Sequence, residues 1–344
     1  MNRNRSELVR TLFPDGIPAL WCPPLTHFTA TGTIDVGRIE AHLRFMAPWV
    51  KGLLVPGTTG EGWELSDAES LELLRLVHRI ARELGLYLLV GVLKPTADEM
   101  LSALARMRKE IGIPDGEGGL AFMRDSRIAG FTFCAPRGKE VSQEAIAASF
   151  RRVLGMGLPT ALYQLPQVTG NEVAPETASA LMRDFENLYL VKDSSGGDRI
   201  LRSGLASSDL FFVRGAEGDY YEWLHRPEGA YGGFLLSTAN CFPSQLAEVI
   251  APGTSVERSH RLSQSITTVI TEAFKVVGSI GHGNIFTNAN KAFDHFNAYG
   301  PDGLDRPAPR LHDGTIIPPD VLKHVRGILD RDGLLPVSGY LDRA

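Results

Sequence analysis

The sequence predicts an α/β protein, a (β/α)8 TIM barrel followed by a C-terminal helical extension. Three observations lead there. Short runs rich in Val, Leu, Ile and Phe recur eight times, most are separated by segments with helical spacing of apolar residues, and the runs themselves are apolar nearly throughout. A half-exposed strand alternates between apolar and polar, whereas a parallel strand covered on both faces is apolar along its length. Eight such strands alternating with helices fit a closed barrel better than an open doubly wound sheet.

In chain order the strands are expected at Ile17–Cys22, Gly52–Pro56, Tyr87–Leu93, Gly130–Ala135, Thr160–Leu165, Leu188–Lys192, Phe211–Gly215 and Gly232–Ser237. After the second, Ser66-Asp-Ala-Glu69 opens a helix with a capping-box pattern, the Ser oxygen and the Glu carboxylate each taking a free backbone N–H. Leu71, Leu74, Val77 and Ala81 then fall on one face. Ser142-Gln-Glu-Ala opens another helix, and Pro175-Glu-Thr-Ala puts proline in the first turn, where its missing N–H costs nothing. Beyond Phe242 the helical pattern runs on without a strand, through Ser244–Ile250, Ser255–Ser279, Asn284–Asn297 and Pro319–Asp330. The expected division is therefore a catalytic barrel over residues 1–243 and a helical extension over 244–344. Residues 112–128, with an Asp-Gly-Glu-Gly-Gly core, are long for a connection inside a compact domain. Between the third helix and the fourth strand they read as a surface insertion at the barrel's N-terminal face, away from the end that carries active sites.

Composition bounds the function. The 344 residues are 43% hydrophobic and 22% charged, with a net charge of -5 and a pI near 6.0. That is globular, and it argues against a nucleic-acid surface, which needs a basic excess to neutralise phosphates. Cys22, Cys134 and Cys241 each lie more than a hundred residues from the next, so they form neither a disulfide framework nor a zinc cluster and suit a reducing compartment. No apolar run approaches the roughly 18–20 residues that cross a bilayer. The first residues carry charge without an apolar h-region, unlike a secretory signal. A soluble cytoplasmic protein is the expectation.

Chemistry in a barrel belongs at the C-terminal ends of the strands. The second strand ends in Pro56-Gly57-Thr58-Thr59-Gly60-Glu61-Gly62, two hydroxyls between glycines near a helix start. That is either an anion cradle or an ordinary glycine turn, and its spacing is not that of a nucleotide loop. The sixth strand ends in Val191-Lys192, and a lysine there points into the mouth or out to water. Inside, desolvation would lower its pKa and leave amine to attack a carbonyl. Tyr163, one βα unit earlier, is either a proton carrier for that amine or a packing tyrosine.

Together these motifs resemble one superfamily, the pyruvate-dependent class I aldolases and lyases that include dihydrodipicolinate synthase and N-acetylneuraminate lyase. The resemblance runs from Pro23-Pro-Leu-Thr26 through Gly57-Thr-Thr-Gly-Glu61, Tyr163-Gln-Leu-Pro166 and Val191-Lys-Asp-Ser-Ser-Gly196 to Thr238-Ala-Asn-Cys-Phe-Pro243. It implies that Lys192 forms a Schiff base with the keto carbon of a 2-oxo acid, that Tyr163 is the general acid/base, and that Thr58 relays the proton. Thr59 and Gly60, with neighbouring amides, would hold the substrate carboxylate. The iminium withdraws electrons from C3, so no metal and no cofactor is implied, and the nine histidines show no HxxxH or HxH spacing. Relatives of this kind are homotetramers, which implies the same assembly here.

Departures from the family narrow the substrate. Val168 stands where dihydrodipicolinate synthases carry an arginine for the aldehyde's carboxylate, and Cys134-Ala-Pro136-Arg137-Gly138 lacks their tyrosine pair. Val168 with Gln164 resembles instead the sialate lyase and 2-keto-3-deoxy-sugar-acid branch. There, Ser194, Ser237 and Glu217 match positions that meet substrate hydroxyls, although Gly218 replaces a second acid. Trp63 either narrows the pocket or packs, and Arg137 is a candidate for a second carboxylate. The expected reaction is cleavage or formation of a 2-keto-3-deoxy sugar acid, or a related 4-hydroxy-2-oxo acid, from pyruvate and an aldehyde. A dehydratase using the same iminium, a dihydrodipicolinate synthase, and a non-catalytic 2-oxo-acid-binding protein are the alternatives.

Overall fold

A computed structural model describes residues 4–116, 118–205, 209–227 and 230–342. Its eight parallel strands close into a barrel in chain order: β1 (Leu20–Cys22), β2 (Gly52–Val55), β3 (Tyr87–Gly91), β4 (Ile128–Cys134), β5 (Thr160–Gln164), β6 (Leu188–Asp193), β7 (Phe211–Arg214) and β8 (Gly233–Leu235). Strand β8 pairs back onto β1. Nearly every strand residue is buried, which is why the runs lack alternation. The observed strands are mostly shorter than the apolar runs, because apolar residues continue past the last ladder hydrogen bond into the mouth. Strand β4 instead begins earlier than Gly130. That glycine sits at φ 138°, beside a register shift in the β3–β4 ladder, and a Cβ there would lie 2.4 Å from the Pro159 carbonyl.

The chain opens with helix α1 (Arg5–Leu12), absent from the sequence reading. It ends at Phe13, whose ring packs on Trp21, Tyr87 and Tyr189 at centroid distances of 6.3, 4.9 and 5.8 Å and plugs the N-terminal end of the barrel. Helices α2 (Val36–Met46), α3 (Asp67–Leu84) and α4 (Ala97–Glu110) follow β1, β2 and β3. The capping box predicted at Ser66 and Glu69 forms with both of its hydrogen bonds. The 112–128 stretch is more than a surface loop. It carries helix α5 (Gly118–Asp125), whose Gly119 and Met123 are buried against the barrel, with Glu117 outside the described residues. The outer layer continues with α6 (Gln143–Leu154), the short α7 (Pro166–Thr169), α8 (Pro175–Asp184), α9 (Arg199–Arg202) and α10 (Tyr220–His225).

After β8 come a 3-10 turn at Ser237–Asn240 and four helices: α11 (Pro243–Ile250), α12 (Val256–Val277), α13 (Ile285–Tyr299) and α14 (Pro319–Arg331). Helix α13 is buried all round from Thr287 to Ala298, although seven of those twelve side chains are polar. Buried polar groups need partners, and these find them in the barrel. Asn297 donates to the Cys241 carbonyl, Lys291 pairs with Glu61, and Asp294 takes Arg38. The C-terminal helices are thus joined to the barrel mouth by directed bonds as well as by apolar packing.

Candidate active site

Strand register brings the reactive candidates together. Tyr163 is the rung partner of Lys192, and Cys134 is the rung partner of Tyr163, so all three share one face. That face is the barrel interior. Lys192 is 3% exposed, and its Nζ lies 3.8 Å from the centre of the Tyr163 ring. Burial pulls the lysine down to about 7, while Cys134, Glu217 and Cys22 oppose the shift. Much of the amine is therefore unprotonated near neutrality. Burial pushes the Cys134 thiol up to about 12 and the Tyr163 phenol above its usual range. Hydrogen bonds from Thr58 and Ser194 pull the phenol back in part. Gly215, just past β7, makes room for this cluster: a Cβ there would fall 2.1 Å from Ser194 Oγ and 2.8 Å from Lys192 Cε.

The loop after β2 forms the opposite wall. Thr58 Oγ1 is 3.5 Å from the Tyr163 hydroxyl. The Thr58 and Thr59 amides donate to no group among the described residues, and the Thr59 hydroxyl has no partner there either. Two adjacent free N–H groups beside a free hydroxyl can receive a carboxylate. The Gly60 amide is already spent on the Gly57 carbonyl at 3.0 Å. Gly60 contributes shape instead, since a Cβ would lie 2.5 Å from the Pro24 carbonyl, and its own carbonyl accepts from Thr26 Oγ1 at 2.7 Å.

The loop is held from outside the barrel. Glu61 has φ 60° in the left-handed region, and its buried carboxylate pairs with Lys291 and accepts from the His312 amide at 2.7 Å. Asn284 donates to the Thr58 carbonyl and Thr287 to the Thr59 carbonyl, each at 2.9 Å. None of these partners was named from sequence. Asn284, Thr287 and Lys291 stand some 230 positions from the loop, and nothing in a helical pattern marks which polar residue faces a distant carbonyl.

The residues expected to meet substrate hydroxyls are mostly engaged with one another. Each Glu217 oxygen accepts two hydrogen bonds, one pair from Ser237 Oγ and the Thr238 amide, the other from Tyr220 OH and Thr238 Oγ1. Glu217 and Ser237 therefore sit at the mouth as a bonded pair that braces the ends of β7 and β8. Ser194 lies beside the Tyr163 phenol, to which it is hydrogen-bonded. Gln164 is turned outward and clasps Val173 through both its amide atoms.

At the rim, Arg137 is exposed, its Nε 3.1 Å from the Val168 carbonyl and its guanidinium 5.4 Å from the Trp63 ring. The Trp63 indole N–H donates to Thr58 Oγ1 at 3.2 Å. Elsewhere, His27, His42 and Asp294 bring ligand-type atoms within 4.8 Å of one another, in a buried cluster. Arg38 already occupies the Asp294 carboxylate at 2.6 Å, and the two imidazoles bond each other at 3.1 Å. Burial holds both histidines below their ordinary range. A cation entering there would meet a guanidinium in its place.

The Dihydrodipicolinate synthetase family model matches residues 123–281. A 4-hydroxy-tetrahydrodipicolinate synthase from Aliarcobacter butzleri is 24% identical over 249 residues, covering 72% of this chain and 77% of that protein. One from Streptomyces coelicolor is 31% identical over 192 residues, or 54% and 57% of the two chains. Among solved structures, YagE, a prophage protein of the dihydrodipicolinic acid synthase family from E. coli in complex with pyruvate, superposes with a TM-score of 0.73 at 19% identity. It covers 93% of this chain and all (100%) of its own. KD(P)GA from T. tenax superposes with a TM-score of 0.69 at 19% identity, covering 92% and 99%. No helix among the described residues is long and apolar enough to cross a membrane.

Proposed function

This chain belongs to the dihydrodipicolinate synthase and N-acetylneuraminate lyase superfamily, and from that premise we propose that it is a class I lyase acting through a Schiff base on Lys192. The observation that carries the reading is the buried Lys192 amine, its pKa pulled down to about 7, over the Tyr163 ring at 3.8 Å. The amine adds to the keto carbon of a 2-oxo acid whose carboxylate lies on the Thr58 and Thr59 amides. Tyr163 gives the proton with which the carbinolamine loses water, leaving an iminium and a phenolate. The phenolate then takes the proton from a C4 hydroxyl. The C3–C4 bond breaks, its electron pair passes into the iminium, and the aldehyde leaves an enamine of pyruvate. Protonation at C3 and hydrolysis release pyruvate and restore the lysine.

The substrate proposed is a 2-keto-3-deoxy sugar acid or a related 4-hydroxy-2-oxo acid, and the proposed enzyme assembles as a homotetramer in the cytoplasm. Glu217 and Ser237 would meet its hydroxyls by exchanging their mutual hydrogen bond for bonds to the ligand. Borohydride reduction with pyruvate tests the chemistry. A stable adduct is expected on the wild-type protein and not on Lys192→Ala, and a wild-type protein that gains no mass overturns the reading.

A second reading is supported by Arg137, whose guanidinium reaches the Val168 carbonyl. The charge that relatives place after the Tyr-x-x-Pro motif is then supplied from the neighbouring β4 loop, which suits an aldehyde partner bearing a carboxylate. Incubating pyruvate with aspartate semialdehyde and with neutral aldehydes separates the two. Product analysis of a 2-keto-3-deoxy sugar acid for pyruvate or a dehydrated keto acid distinguishes lyase from dehydratase.

A further inference from the structure

Thr58 Oγ1 lies between two groups, the Trp63 indole Nε1 at 3.2 Å and the Tyr163 hydroxyl at 3.5 Å. An indole N–H only donates, and a hydroxyl has one proton to give and two lone pairs with which to accept. Trp63 fills one Thr58 lone pair and polarises the hydroxyl, which makes it a stronger donor and a weaker acceptor and biases its proton toward the Tyr163 oxygen. Building on the proposed Schiff-base chemistry, we infer that Trp63 is a positioning residue that biases the polarity of the proton relay: indole to threonine to tyrosine. The Tyr163 oxygen is thereby biased toward accepting, the role it needs when a proton must be removed from carbon or from a substrate hydroxyl. Without the indole, the threonine hydroxyl accepts from the phenol more readily, which stabilises the protonated form instead.

The placement of Trp63 is built, not incidental. The left-handed Glu61 reverses the chain so that residue 63 returns over residue 58, and Lys291 and the His312 amide lock that reversal. Arg137, tied to the Val168 carbonyl, lies 5.4 Å over the indole face, within range of a cation–π contact that fixes the ring plane. The ring is only partly buried, so its N–H has water available and still goes to a buried threonine.

The test uses pyruvate alone, following exchange of its C3 protons for deuterium by NMR, which requires both the iminium and a base. Trp63→Phe keeps the ring and the stack beneath Arg137 but removes the donor. It is expected to slow exchange about tenfold, below the ~100-fold or more that a general base supplies, with the apparent KM for pyruvate within about twofold. Thr58→Val is expected to slow exchange further, and adding Trp63→Phe to it to cost nothing more, because the indole acts through the hydroxyl. Thr58→Ser should restore the sensitivity to Trp63→Phe. Thermal melting confirms that each variant is folded. An equal loss from Trp63→Phe with and without the Thr58 hydroxyl, or no loss in the wild-type background, overturns the inference and leaves packing as the role. Borohydride trapping on the same samples keeps the two claims apart, since a wild type that traps pyruvate upholds the Schiff base whatever the cycle shows.

Discussion

The Lys192 nitrogen lies over the Tyr163 ring, 3.8 Å from its centre, the two residues paired across the adjacent strands β5 and β6. The ring face favours an ammonium, while burial pulls the lysine down to about 7. The rate of borohydride trapping with pyruvate, read as kcat/KM, is therefore expected to rise about tenfold per pH unit below 7 and to level off above it, because only the neutral amine attacks. A profile flat from pH 5 to 9 would contradict the assignment.

The same shift has a stability consequence. In the unfolded chain the lysine titrates near its ordinary value of 10.5, in the folded chain near 7. Between those values the unfolded state holds the extra proton, so this group's contribution to stability grows with rising pH, and below 7 its full cost of burying a charge is present. Lys192→Met removes that cost. It should melt higher than the wild type at pH 6, by a few kcal/mol of unfolding free energy, and the gap should close as pH approaches 10.

Glu217 acts on Lys192 without touching it, since its carboxylate raises the lysine's pKa against burial. Glu217→Gln should move the rising limb of the trapping profile to lower pH. It should also lower stability by about 1–3 kcal/mol, because a carboxamide cannot accept from Ser237, Thr238 and Tyr220 together. A limb that stays in place while stability falls would confine Glu217 to bracing β7 and β8.

Removing one partner of the buried Glu61–Lys291 pair leaves the other charge uncompensated. Lys291→Met should cost about 3–5 kcal/mol and raise the KM for pyruvate as Glu61 releases the Thr58–Thr59 turn. Glu61→Gln combined with Lys291→Met should recover a large part of the stability. Denaturant melts and steady-state kinetics on the three variants check both effects.

The barrel was legible because parallel strands buried on both faces leave uninterrupted apolar runs, and Leu188–Val191 announces the lysine that follows it. The grouping of Thr58, Tyr163 and Lys192 was legible because the first follows β2 by three residues and the other two lie next to the ends of β5 and β6. What escaped notice depended on contacts that periodicity does not encode. Helix α1 is short and its apolar residues are few, so the plug at Phe13 was invisible. The bulge at Gly130 moved the start of β4. Glu217 and Ser237 looked free to bind a ligand because a linear reading cannot tell that Thr238 and Tyr220 already complete their bonding. Lys291 looked like one more residue of a helix, since the carboxylate it serves lies in the β2 loop.

Asn284, Thr287 and Lys291 together grip three groups of the reactive loop, the carbonyls of Thr58 and Thr59 and the carboxylate of Glu61. Anyone transplanting this catalyst into a new host, or permuting its termini, must therefore move the stretch from 284 to 291 along with the strands. A trimmed version that stopped at Phe242 would keep Lys192 but would leave the proposed carboxylate seat slack and misaligned.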